Sequence, residues 1–185
     1  MSEKSKLIKV LTPEFRASYP SIFTPKKNDL NGKEEYSVMA LFPKDADLKP
    51  LFAAAKEVTE SVWGKDKAKW PKNLKDPFKK QDPTKPGHTE GAYFLNIKCD
   101  ASKNVPGVLN AKKVQIIDPT EIYGGCYGRA TITFFAYDLP AAKGVSMLLN
   151  NFQKTRDGDP FGNRSKPEDD FTAFGTDESD QLSLI

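Results

Sequence analysis

This sequence predicts an all-β domain with a single helix, on three observations. The stretch Ile122–Asp138 alternates small apolar residues with aromatic, hydroxyl-bearing and cationic ones, the period of a strand. Only one window, residues 48–63, repeats its apolar residues at helical spacing. Turn signals at Asn31-Gly32, Pro106-Gly107 and Leu139–Gly144 separate the remaining apolar runs into strand-sized pieces.

In chain order, Lys6–Thr12 alternates weakly around Ile8 and Val10 and predicts a first strand. Pro13, Pro20 and Pro25 then bar a helix through TPEFRASYPSIFTPKK, where rings (Phe15, Tyr19, Phe23) interleave with cations (Arg16, Lys26, Lys27). Asn31-Gly32 predicts a tight turn leading to a hairpin strand, Glu35–Phe42, with Tyr36, Val38, Ala40 and Phe42 on one side. Asp47 is the expected N-cap of a helix from Leu48 to Trp63, closed by Gly64. Residues 65–85 hold eight lysines, three aspartates, Trp70 and Phe78 among three prolines. Such a loop either tracks phosphates and stacks a base, or is anchored to the body by its two rings. Ala92–Cys99, Lys112–Asp118, Ile122–Asp138 and Val145–Gln153 complete the expected strands. Beyond about residue 165 periodicity is lost, and an acidic tail is expected to be disordered.

Five to six short strands, one helix and long loops suit a small, partly open Greek-key barrel of the OB type, which leaves one sheet face and its loops to bind oligonucleotides. A β-sandwich is the rival architecture. The division expected is a domain over residues 1–164 and a tail over 165–185.

Composition narrows the function. At 185 residues with 38% hydrophobic and 29% charged content, the chain suits one soluble domain with appendages. No apolar run is long enough for a membrane span, and MSEKSKLIKV has no signal-peptide character. Cys99 and Cys126 have no metal-ligand spacing and read as reduced, buried thiols; His88 is the single histidine. Tyr-Gly-Gly-Cys-Tyr-Gly at 123–128 is not a dinucleotide fingerprint, no phosphate-binding P-loop occurs, and Asp157-Gly158-Asp159 lacks the rest of a calcium loop. No enzyme, cofactor or metal is expected. The charge is split: of 28 Lys and Arg against 25 Asp and Glu, six acids and no base lie beyond residue 166, so the body carries +9 and the tail −6. That asymmetry suggests a polyanionic partner, with the tail competing for the same surface.

Within Ile122–Asp138, one face would be core: Cys126, Gly128, Ala130, Ile132, Phe134 and Ala136. The other presents Tyr127, Arg129, Thr131, Thr133, Phe135 and Tyr137. Rings beside guanidinium suit single-stranded nucleic acid, although from this strand alone a sandwich face covered by a second sheet is the stronger reading. The outward set Phe94, Asn96 and Lys98 repeats the ring–amide–cation combination.

Several stretches, in order, carry a resemblance: TPEFRASYPSIFTPKK, YSVMALFPK, GAYFLNIK, IYGGCYGRATITFFAYD, KGVSMLLNNFQKTRDGDPFG and the acidic tail. Together, from about residue 6 to 164, they resemble a family of phage-encoded single-stranded DNA-binding proteins. The resemblance implies an OB-fold that coats single-stranded DNA in the cytoplasm of the infected bacterial cell during phage replication or recombination, without catalysis or membrane contact. It also implies an acidic tail that recruits replication or recombination proteins, and it accommodates a homo-oligomer. The ending Leu182-Ser183-Leu184-Ile185 departs from the acidic, Pro-Phe-closed ending of the best-known bacterial counterparts. With the resemblance, the candidates for stacking are Tyr19, Trp70, Phe94, Tyr127, Phe135 and Tyr137. Those for phosphate are Arg16, Lys26, Lys27, Lys98, Arg129, Lys154 and Arg156. The competing readings are a non-enzymatic interaction protein built as a β-sandwich, and a cold-shock-like RNA binder.

Overall fold

Strict alternation in the longest patterned stretch produces the strand that closes the fold. In the computed structural model, which describes residues 4–162 and 167–175, that strand is β7 (Tyr127–Asp138). It belongs to one eight-stranded sheet with β1 (Ile8–Leu11), β2 (Phe15–Lys27), β3 (Glu34–Leu41), β4 (Lys79–Lys80), β5 (Tyr93–Asp100), β6 (Gly107–Leu109) and β8 (Lys143–Arg156). Helix α1 (Lys49–Trp63) follows β3, and α2 (Pro167–Asp170) is one helical turn. Pairing runs β7–β2–β3–β5–β8 and returns to β7, so five strands form a barrel. Two of its seams are narrow: β2 meets β7 at two residue pairs, and β5 meets β8, in parallel, at one. The result is the partly open barrel expected.

The core faces follow the sequence pattern. Gly128, Ala130, Ile132, Phe134 and Ala136 point inward from β7, and Val38, Ala40, Leu95, Ile97 and Cys99 from β3 and β5. Phe15 stands edge-on to Phe42 at 5.6 Å and tilted to Phe152 at 6.0 Å. Cys126 and Cys99 are free and buried, and burial pushes both thiols up. Helix α1 covers β7 and β1 with Leu51, Ala54, Ala55 and Val58.

Two expectations need correcting. The strand expected at Lys112–Asp118 is a turn with one isolated bridge, Gln115 to Leu109. The Asn110 side chain accepts from the Lys112 and Val114 amides and Lys113 takes φ +64°, so the chain turns back on the short strand β6 instead. The helix N-cap is Leu48; Asp47 accepts from the Lys49 amide one position early, with Pro50 in the first turn. The prolines of residues 13–27 bar a helix but not a strand. The β2–β3 register shifts between Ser18 and Ser21 and again between Ser21 and Lys26, so Pro20 and Pro25 fall where the ladder is already interrupted.

The acidic tail expected over 165–185 lies mostly outside the described residues. Within them, Phe171 and Phe174 are exposed.

Candidate nucleic-acid interface

Directly paired residues on neighbouring strands project from the same face of a sheet. Followed across the barrel, one such row runs Arg156–Tyr127–Arg16–Leu41–Phe94–Lys79, through β8, β7, β2, β3, β5 and β4. Cation, ring, cation, aliphatic, ring and cation thus stand side by side on the outer surface. Six strands at ordinary spacing make an arc of about 24 Å. Leu41 is 3% exposed yet lies outside the hydrophobic core cluster. It floors a groove of ≈120 Å³ with Arg16, Tyr127, Gln81, Gly87 and Thr89. The buried Gln81 amide fixes the overlying loop: its Nε2 donates to the Phe42 and Tyr93 carbonyls at 2.8 and 2.6 Å, and its Oε1 accepts from the Thr89 amide at 2.7 Å.

At the Arg156 end the row becomes a polar cluster around a cleft of ≈710 Å³. The Arg156 guanidinium lies 3.7 Å from the Tyr127 ring centre and donates to Glu14 from both Nε (3.1 Å) and Nη2 (2.9 Å). Burial pushes the Glu14 carboxyl up, but hydrogen bonds from Arg156 and Thr155 together with the Arg156 charge outweigh it and hold it below the usual value. Arg16 lies 5.6 Å from the Tyr127 ring and 4.4 Å from that of Phe161. It donates to the carbonyls of Gly125 (3.1 Å) and Asp159 (2.5 Å), tying residues 157–161 to the barrel. Lys154 pairs with Asp157 at 2.6 Å above the Tyr123 ring. Burial lowers the Lys154 ammonium pKa, but the Asp157 hydrogen bond and the neighbouring negative charge, chiefly of Asp157, together more than reverse this. Two glycines make the fit possible: a Cβ on Gly125 (φ +116°) would stand 2.2 Å from the Asp159 carbonyl oxygen, and one on Gly87 (φ +77°) 2.1 Å from the Phe161 ring.

Of the residues expected from sequence, the structure brings Arg16, Phe94, Tyr127 and Arg156 into the row and Lys154 into its end cluster. Tyr19, 74% exposed, stands at the β2 bulge with φ +45°, beside Gly124 and two residues before Ser21. Arg129 follows Tyr127 on the same face of β7, and its Nε donates to Gln153 at 2.8 Å.

The other candidates lie elsewhere. Phe135 is eight residues from Tyr127, about 26 Å along the strand, in a second groove of ≈440 Å³ that also includes Lys98. There Lys98 is paired with Glu35 at 3.3 Å. Lys26 and Lys27 oppose Glu35 and Glu34 on the far part of the β2–β3 hairpin. Tyr137 opposes Gly144 at the opposite end of β7. Trp70 is half-buried and donates Nε1–H to the Gly64 carbonyl at 2.7 Å, capping the end of α1. Phe78 lies 4.4 Å from Phe52 and stacks on the core Phe134 at 6.2 Å, so it anchors the lysine loop.

Sequence reasoning missed Leu41, Phe161 and His88, whose ring meets the Phe94 edge at 5.7 Å, and nothing local marks these three. Lys79 is one of the lysines of residues 65–85 that the sequence offered for phosphate contact behind the principal candidates.

A family model described as that of the Enterobacter phage Enc34 ssDNA-binding protein matches residues 8–182. The solved single-stranded DNA-binding protein from bacteriophage Enc34 in complex with ssDNA is 27% identical, with a TM-score of 0.64 over 84% of this chain and 89% of that one. The single-stranded DNA-binding protein gp2.5 of bacteriophage T7, at 17% identity, shares the fold with a TM-score of 0.61 over 92% of this chain and 97% of that one. The putative protein p50 of Acyrthosiphon pisum secondary endosymbiont phage 1 is 29% identical over 162 residues, 83% of this chain and 86% of that protein.

Proposed function

The chain belongs to the family of the Enterobacter phage Enc34 ssDNA-binding protein, and from that premise we propose that it coats single-stranded DNA without sequence preference. It would do so during phage replication or recombination, in the cytoplasm of the infected cell. The observation that carries this reading is the six-strand row Arg156–Tyr127–Arg16–Leu41–Phe94–Lys79. Its rings offer π faces that any base can stack on, its cations meet phosphates, and Tyr19 adds an exposed ring beside it. Such binding needs no catalytic group and no cofactor.

The acidic segment from residue 167 onward is assigned two roles. Its six carboxylates compete with phosphates for the basic body, and its apolar residues recruit replication or recombination proteins. A chain ending at residue 166 then binds DNA more tightly than the full chain, most at low salt. Unchanged or weaker binding would remove the competitive role.

Titration of end-labelled oligo-dT, matched RNA and duplex DNA, followed by anisotropy at several salt concentrations, tests the main reading. Preferential binding of oligo-dT is expected, with log affinity falling against log salt by about 0.7 per phosphate neutralised. A flat salt response, or equal binding of duplex, overturns it.

A further inference from the structure

A further groove, of ≈470 Å³ and distinct from the one at Phe135, opens on the outer face of β1, β7, β8 and β6. Leu11 and Leu109 supply its apolar surface; Lys9, Lys113 and Arg129 supply charge; Asn151 and Gln153 supply amides. Among the described residues no carboxylate lines it. Among the described residues none of its three cations is in an ion pair. Arg129 is nevertheless held in place, by a neutral partner: Gln153 Oε1 accepts from its Nε at 2.8 Å, and Gln153 Nε2 donates onward to the Asn110 carbonyl at 3.1 Å. The guanidinium is therefore oriented with no carboxylate against it among the described residues, which is what a phosphate site requires. The Thr131 hydroxyl on the groove wall is buried and finds no hydrogen-bond partner among the described residues.

Position identifies the occupant. Arg129 is two residues from Tyr127 on one strand face, so the groove begins where the six-strand row ends. We propose that it is a second subsite for the same strand of DNA. Phosphates would pass from Arg156 to Arg129, Lys113 and Lys9, and a sugar or base would rest on Leu11 and Leu109. This rests on the single-stranded DNA reading given above.

The test uses the full-length protein with Lys9→Ala, Lys113→Ala and Arg129→Gln, singly and combined. Their folding is checked by circular dichroism. Each is titrated with oligo-dT of about 4 and about 16 nucleotides, the usual span of OB-fold site sizes. A strand confined to the row should bind wild type and variants alike. The longer strand should lose about fivefold per cation at 0.1 M salt, and its salt slope should fall by about 0.7 per cation. Equal loss on both lengths, or none on the longer one, overturns the second subsite while leaving the row intact. Tighter binding by the variants also overturns it, and assigns the groove to the chain's own acidic segment. Failure of wild type to bind either length defeats the underlying reading instead.

Discussion

Two cationic regions flank Tyr127, and they are built in opposite ways. On one side Arg156 and Lys154 each meet a carboxylate, Glu14 or Asp157, and Arg16 is held by two backbone carbonyls. On the other side Arg129 is oriented by an amide, and Lys9 and Lys113 have no ion pair among the described residues. In the first region side-chain positions are fixed at the expense of net charge. In the second, charge is kept and little is fixed. The contrast separates two jobs that a basic side chain can do: a cation facing a carboxylate stiffens the surface that presents the rings, and an uncompensated one adds attraction for phosphate. Counting lysines and arginines in the sequence cannot distinguish them.

Mutations that affect the two regions unequally test this division. Tyr127→Ala should have the largest effect, because the ring both offers a stacking face and supports Arg156 at 3.7 Å. Loss of about 1–3 kcal/mol of oligo-dT binding is expected, with a lower urea midpoint; unchanged affinity removes Tyr127 from the interface. Tyr19→Gly should divide the two properties. The ring is exposed and the backbone takes φ +45°, so glycine loses a stacking face but relieves a conformation that costs a non-glycine residue about 1 kcal/mol. Weaker binding with equal or higher stability is expected, and falling stability would show that the ring has a packing role. Glu14→Gln should act in the opposite sense, freeing Arg156 from its carboxylate. Oligo-dT affinity at 0.1 M salt should rise by up to about fivefold, while stability falls by about 0.5 kcal/mol, as for an exposed pair. If affinity falls instead, the placement of Arg156 matters more than its charge.

What the sequence discloses depends on the range of the interaction. The inward and outward faces of β7 are readable because alternation is local, and all five inward residues of the strand are buried as expected. The helix window and the β2–β3 hairpin turn are readable for the same reason. The row is not, since it is set by register between strands as distant as Arg16 and Tyr127, and no local signal specifies which residues oppose one another. Thus Tyr127 and Phe135 look equivalent in the sequence, yet one joins Arg16 and the other lines a groove about 26 Å away. Leu41 reads as one more hydrophobic strand residue, though its partners place it on the outer face. Trp70 looks like a free ring because the sequence cannot show that its indole caps α1 through the Gly64 carbonyl.

Acid provides the smallest expected effect. The Glu14 carboxyl is held below its ordinary 4.5, burial being outweighed by the hydrogen bonds from Arg156 and Thr155 together with the Arg156 charge. Asp157 is held below its ordinary 3.8, first by the Lys154 hydrogen bond. A carboxyl whose pKa is lower folded than unfolded contributes stability that is complete above the unfolded value and disappears as pH falls through the folded one. The first region should therefore weaken between about pH 5 and the lowered values, by no more than about 1 kcal/mol per exposed pair. Urea midpoints measured down this range should show a shallower acid slope in Glu14→Gln than in wild type. Arg129→Gln should leave the slope unchanged, because no carboxylate among the described residues lines its groove. An altered slope in Arg129→Gln would mean that its charge is balanced by an acid after all, and the distinction between the two regions would fail.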